Sequence, residues 1–250
     1  MKSGKGGHGK GKGAPSGNRQ PPDGGVRQSQ TILTYGPGAM VDLLNDAVLV
    51  GGLDFWCYKG EEALYGFDEP RLRRHLRKRP GGLNEEAAFR LPPEADEHDP
   101  TRWRGIQVLE FPRWFVCQNP DCRRLACLGG PGSDMKDDRY IHRCLPDPKK
   151  YAFFTPVRFV VACVNGHIDD FPWGRFVHHA DDCQAKTELR LDEGATGDFS
   201  ELKVTCISCK RSRPLLEATF EESHPACQAK RPWLNDTDPR GCQENMRLLV

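Results

Sequence analysis

The sequence predicts an α+β fold: short strands and helices, joined by many loops and gathered around two or three cysteine knuckles. Three observations carry that expectation. Hydrophobic residues make up only 37% of the 250-residue chain and charged residues 28%, with 26 Gly and 20 Pro. Such a composition favours short elements and frequent turns over long helices. Eleven cysteines are available to staple so lean a core. Finally, β-prone runs repeatedly feed straight into a cysteine: GIQVLEFPRWFVC at 105–117, VRFVVAC at 157–163 and LKVTC at 202–206.

The staples are expected to be metal rather than disulfide. The opening residues MKSGKGGHGKGKG contain no apolar run, so no secretory signal is expected. No stretch approaches the roughly 18 apolar residues of a membrane span. A reducing, cytoplasmic setting keeps thiols free, and an odd cysteine count cannot be satisfied by disulfides alone. The knuckles are therefore expected to be zinc-ribbon-like, with Zn as the cofactor.

Taken in order, residues 1–25 read as a disordered Gly/Lys tail carrying Lys2, Lys5, Lys10, Lys12 and Arg19. Gly4, Gly9 and Lys10 begin a phosphate-loop pattern, but Gly11 stands where a Ser or Thr hydroxyl would hold magnesium. Residues 26–104 form an N-terminal α+β segment. Thr31–Tyr35 is β-prone and meets a turn at Gly36-Pro37-Gly38; Ala47–Trp56 reads as a strand with a Gly-Gly break. A helix is expected over Glu69–Lys78, with Leu72 and Leu76 on one face. Its other faces carry Arg71, Arg73, Arg74, Arg77 and Lys78, followed by Arg79. That block can bind nucleic-acid phosphates through counterion release or simply face solvent. Residues 79–104 read as a long loop. Residues 105–250 form the zinc-binding region.

The first constellation is Cys206-x2-Cys209, with Cys227 and Cys242 as a second pair. Two cysteines separated by two residues form a turn that points both thiolates at one ion. Cys227 and Cys242 are too far apart to form such a turn themselves. The second group opens with Cys117 and Cys122 around Asn119-Pro120-Asp121, with Cys144 as third ligand and Asp147, His142 or Cys127 open as the fourth. The third sets Cys163 and His167 against His178 or His179 and Cys183. Alternatively, Cys163 or His167 completes the second group and Cys183 is a core thiol.

Asp169 and Asp170 beside Phe171-Pro172-Trp173 could do acid–base work but are expected to cap the following helix and pack. The sequence contains no H-E-x-x-H, no zinc-deaminase pair and no G-x-S-x-G. Cysteine-rich sites are usually closed, so the expectation is that the chain is not an enzyme.

Several of these segments together resemble the DrmB family, subunits of the DISARM anti-phage systems. The resemblance rests on Arg27-Gln-Ser29-Gln30, Tyr35-Gly36-Pro37-Gly38-Ala39, Gly52-Leu53-Asp54-Phe55-Trp56, Phe111-Pro112-Arg113-Trp114, Arg158–Cys163 with Gly166–Trp173, Cys206-x2-Cys209, and Cys227 ahead of Pro232-Trp233-Leu234. It covers about Arg27 to the last residue. It implies a DrmA-like superfamily 2 helicase partner, DNA as the joint target, and a non-catalytic scaffold role. Two departures stand out: Asp147 where the family has a tighter second cysteine pair, and a chain much shorter than the family's. The latter implies an amino-terminal portion, a split gene product or a truncated chain. Two other readings remain open: a free-standing zinc-ribbon nucleic-acid-binding module, and a zinc hydrolase centred on Cys163 and His167. Exposed aromatics of Phe111–Phe115 and Phe171–Trp173 are expected to mark the partner interface.

Overall fold

A computed structural model describes residues 26–250 apart from 44, 85–86, 95–103, 131–133, 138, 179–182 and 185–186. The expected basic tail, its phosphate-loop fragment and His179 lie outside the described residues. The architecture is mixed α+β, mostly strands and loops with few helices.

Its spine is an eight-stranded antiparallel sheet. The strand order is Asp134–Lys136, Arg139–His142, Ala152–Pro156, Trp114–Cys117, Arg124–Cys127, Leu189–Asp192, Lys203–Cys206, Ser212–Pro214. A three-stranded sheet pairs Val160–Ala162 with Ile168–Asp170 on one side and Arg247–Leu249 on the other. Met40–Asp42, Ala47–Val50 and Val108–Glu110 form another. The main core lies where the first two sheets meet the helix Trp173–His178, and it includes Leu125, Val161, Phe171, Trp173, Leu189, Val204 and Leu215. Leu49, Phe111 and Val160 join the N-terminal sheet to it.

Three local expectations change. The β-prone 31–35 run is instead the end of a short helix, Gln28–Leu33, whose first turn is held by Gln30 Oε1 accepting from the Arg27 N–H at 3.0 Å. The helix Pro70–Arg77 forms, with Pro at its start and Glu69 accepting from the Arg71 N–H at 2.9 Å. Its half-buried residues, however, are Arg73 and Leu76; Leu72 is exposed. Within the expected 79–104 loop, Phe89–Arg90 pairs with Gly66–Phe67.

The aromatic segments also differ from expectation. Phe111, Phe115, Phe171 and Trp173 are all buried, with Phe171 and Trp173 in edge contact at 4.7 Å. These four fill the core, and Trp114 is half-buried against it, so none of the five is an exposed aromatic. Asp169 and Asp170 sit on a strand rather than at a helix cap. Asp169 pairs with Lys230 at 2.6 Å, and Asp170 accepts from the Arg113 N–H at 2.7 Å.

Candidate metal centres

All three centres start from the same local device. A strand ends in or just before a cysteine, a tight turn follows, and a second ligand closes the turn. Cys117 ends its strand, and the Cys122 N–H donates to Asn119 O at 3.0 Å. Cys163 follows its strand, and the turn closes through Gly166 N–H to Cys163 O at 3.0 Å, with Gly166 at φ +83°. That left-handed backbone suits glycine. Cys206 ends its strand, and the Lys210 N–H donates to Cys206 O at 3.1 Å. In the first and third turns the residue after the second cysteine, Arg123 or Lys210, also takes positive φ.

Three groups of four result, each with its ligand atoms within 4.8 Å of one another. Cys117, Cys122, His142 and Cys144 form the first. The Cys117 and Cys144 sulfurs are 3.7 Å apart, and Cys122 Sγ lies 3.4 Å from His142 Nδ1. Asn119 Nδ2 donates to Cys144 Sγ at 3.3 Å. Of the three open fourth ligands the structure brings His142, because Arg139–His142 pairs with Ala152–Pro156, which pairs with the Cys117 strand.

Cys163, His167, Cys227 and Cys242 form the second. Cys163 Sγ is 3.7 Å from Cys227 Sγ and 4.0 Å from Cys242 Sγ; His167 Nδ1 is 3.4 Å from Cys163 Sγ and 3.5 Å from Cys227 Sγ. The Ala229 N–H and Asn165 Nδ2 donate to Cys227 and Cys242 at 3.3 and 3.4 Å. On the far side of the imidazole, Nε2 lies 3.6 Å from the buried Asp238 carboxylate. The Arg240 side chain and N–H hold Asp238 well below the usual carboxylate range. A carboxylate behind a ligating histidine fixes its tautomer and ring orientation.

His178, Cys183, Cys206 and Cys209 form the third, with the Cys183 and Cys206 sulfurs 3.9 Å apart. His178 is fully buried. Its Nδ1 donates to Gly174 O at 2.9 Å, one helical turn back, and its buried Nε2 has no hydrogen-bond partner. Burying a polar nitrogen without a partner is costly, and this one belongs to a cluster of three thiols. A metal ion would satisfy it. Arg211 and Arg213 fix the helix by donating to the His178 and Phe176 carbonyls at 3.3 and 3.0 Å.

The thiols titrate apart. Burial pushes Cys117 and Cys227 up to about 12. Donation from Asn165 draws Cys242 down to about 6. A buried thiol becomes a thiolate readily only beside a compensating cation. All eleven cysteines are free thiols. Only Cys57 and Cys127 lie outside the three groups.

The expected ligands are therefore gathered, but in different partnerships. Cys206 and Cys209 do not meet Cys227 and Cys242, and Cys163 and His167 do not meet His178 and Cys183. The sheet registers exchange the halves. Leu189 pairs with Cys206, which delivers Cys183, and Arg247–Leu249 pairs with Val160–Ala162, which delivers Cys227 and Cys242.

A family model described as a domain of unknown function, DUF8724, matches residues 27–250. The chain belongs to that family. It is also similar to the DISARM protein DrmB of Bacillus paralicheniformis, with 27% identity over 190 residues, which take in 73% of this chain and 29% of the relative. The aligned segment thus spans less than a third of that relative's length. The comparison supports a DrmB-like protein and agrees with the resemblance read from the motifs.

Arg73 is engaged by its neighbours, 2.9 Å from Asp68, 2.6 Å from Ala87 O and 5.1 Å from the Phe89 ring centre. Arg79 meets His75 at 3.3 Å. Arg71, Arg74, Arg77 and Lys78 are exposed, without an ion-pair partner among the described residues. Among the described residues, no helix is long and apolar enough to cross a membrane.

Proposed function

We propose that the chain is a non-catalytic, zinc-stabilised scaffold segment of a DISARM-type anti-phage assembly, working in the cytoplasm with a helicase-like subunit on DNA. Ligand closure supports the zinc assignment: each group offers three thiols and one imidazole. For tetrahedral zinc, with Zn–S about 2.3 Å and Zn–N about 2.0 Å, adjacent sulfurs lie about 3.8 Å apart and sulfur and nitrogen about 3.5 Å apart. The thiol pairs at 3.7, 3.7, 3.9 and 4.0 Å and the thiol–imidazole pairs at 3.4, 3.4 and 3.5 Å match those edges.

Four protein ligands leave no position for water or substrate, which supports a structural rather than hydrolytic role. Structural zinc contributes on the order of 10 kcal/mol to small folds. The DNA part of the reading rests on Arg71, Arg74, Arg77 and Lys78, exposed and without an ion-pair partner among the described residues, which can contact backbone phosphates. The defence role and the helicase-like partner rest on the DrmB relative.

Metal analysis of the purified chain should return about three zinc ions, one for each group. Co-expression with a DrmA-like helicase should give a complex that survives gel filtration at moderate salt, with ATP hydrolysis residing in the helicase. Less than one zinc per chain would end the structural-zinc reading. A chain that hydrolysed ATP alone, or eluted apart from the helicase, would end the scaffold reading.

A further inference from the structure

We infer that the hairpin and helix between Tyr58 and Arg90 form a stacking platform for single-stranded nucleic acid. The inference rests on the phosphate-contact reading above and narrows it to a substrate class. The paired strands Gly66–Phe67 and Phe89–Arg90 stack the Phe67 and Phe89 rings, with centres 5.5 Å apart and planes 26° apart. Phe67 remains 40% exposed. Beside it, Tyr58 and Tyr65 meet edge-on at 5.2 Å, and the exposed Arg90 guanidinium sits 6.0 Å from the Tyr58 ring.

The chain then passes through Asp68 into the helix Pro70–Arg77. An open groove there is lined by Asp68, Pro70, Arg73, Arg74, Arg77 and Lys78. Its acid, Asp68, is bound by Arg73 at 3.3 and 2.9 Å, and the neighbouring Glu69 caps the helix. Arg74, Arg77 and Lys78 remain as cations along this groove, which begins at Asp68, the residue that follows the exposed Phe67. This combination, a cationic track with aromatic faces at its edge, is what single strands use: the track follows phosphates and each unpaired base stacks on a ring. A duplex offers no base face to Phe67, since its bases are stacked on each other.

An aromatic and arginine-rich surface could also serve a protein partner. Among the described residues, Asp68 and Glu69 are engaged while Arg74, Arg77 and Lys78 have no ion-pair partner, which favours a polyanion.

The test uses the full zinc-loaded chain and fluorescence anisotropy with an oligo-dT strand and a duplex of equal length. The single strand should bind more tightly. Phe67→Ala should weaken it by about fivefold or more, the loss expected for one stacked base, and leave the duplex unchanged. Phe67→Trp should retain the preference, which separates stacking from misfolding. Equal binding of strand and duplex, or no effect of Phe67→Ala, would overturn the platform while leaving the phosphate reading intact. Arg74→Glu/Arg77→Glu/Lys78→Glu should weaken both probes and flatten their salt dependence. If wild type binds neither probe, both readings fall. An effect of Phe67→Ala confined to binding of a co-purified protein would likewise overturn the platform alone.

Discussion

None of the described residues from Leu53 to Leu91 is buried, whereas the stretch from Trp114 to the end holds most of the core and all three metal groups. The two regions are held by different forces. The first relies on ring contacts, a cation over Phe89 and ion pairs at the surface. The second packs Trp173, Leu189 and Val204 between thiol clusters. A strand hairpin with no buried face is marginal by itself. Such a segment can adapt to a ligand, while the packed core of the second region is the more resistant to local opening.

The sharpest way to break this contrast is to remove cysteines by class. Cys163→Ser or Cys206→Ser should abolish cooperative unfolding or give insoluble protein, a loss on the order of 10 kcal/mol. Cys57→Ser and Cys127→Ser, outside the groups, should cost less than about 2 kcal/mol in a denaturant titration. Equal losses in both classes would mean that the thiols act as core residues only.

A second experiment tests the partnerships through metal counts on whatever soluble protein is recovered, or on refolded chains. Cys163→Ser/Cys227→Ser should lose one ion, since both belong to one group; Cys206→Ser/Cys227→Ser should lose two. The reverse pattern would restore the grouping of Cys206 and Cys209 with Cys227 and Cys242.

Asp170 provides a smaller test within the rigid region. Burial raises its pKa from 3.8 to about 6. Between those values the folded state binds more protons than the unfolded one, so this group makes stability fall as pH rises from about 4 to 6. Asp170→Asn keeps an oxygen for the Arg113 N–H and should remove that downward contribution. The mutant should therefore gain stability relative to wild type across that window, measured as a difference between the two proteins. A constant difference between them would show that Asp170 does not titrate there.

The smallest effect belongs to the peripheral helix. Arg73→Ala forfeits Asp68, the Ala87 carbonyl and the Phe89 face, and should cost about 1 kcal/mol. Arg74→Ala should stay within about 0.5 kcal/mol. Comparable losses at both positions would make Arg74 structural and weaken its assignment to phosphate.

What the sequence determined by itself was local. Ligand identity, the entry of a strand into a cysteine, and the turn between Cys206 and Cys209 depend on a few adjacent residues, so all eleven expected ligands reappear in the groups. The Pro70–Arg77 helix was legible for the same reason, while a helical turn closed by Gln30 accepting from the Arg27 N–H overrode the β-propensity of Thr31–Tyr35. His142 was legible only as one of three options, and Asp238 carried no sequence signal: it meets His167 through a fold-back from a distant loop. Which half-site meets which was decided by tertiary structure alone. The half-sites all offer thiols or an imidazole, which are chemically interchangeable, so spacing cannot choose which pairs meet. Strand register chooses, by pairing Leu189 with Cys206 and Leu248 with Val161 and so carrying distant ligands to opposite sides of one core.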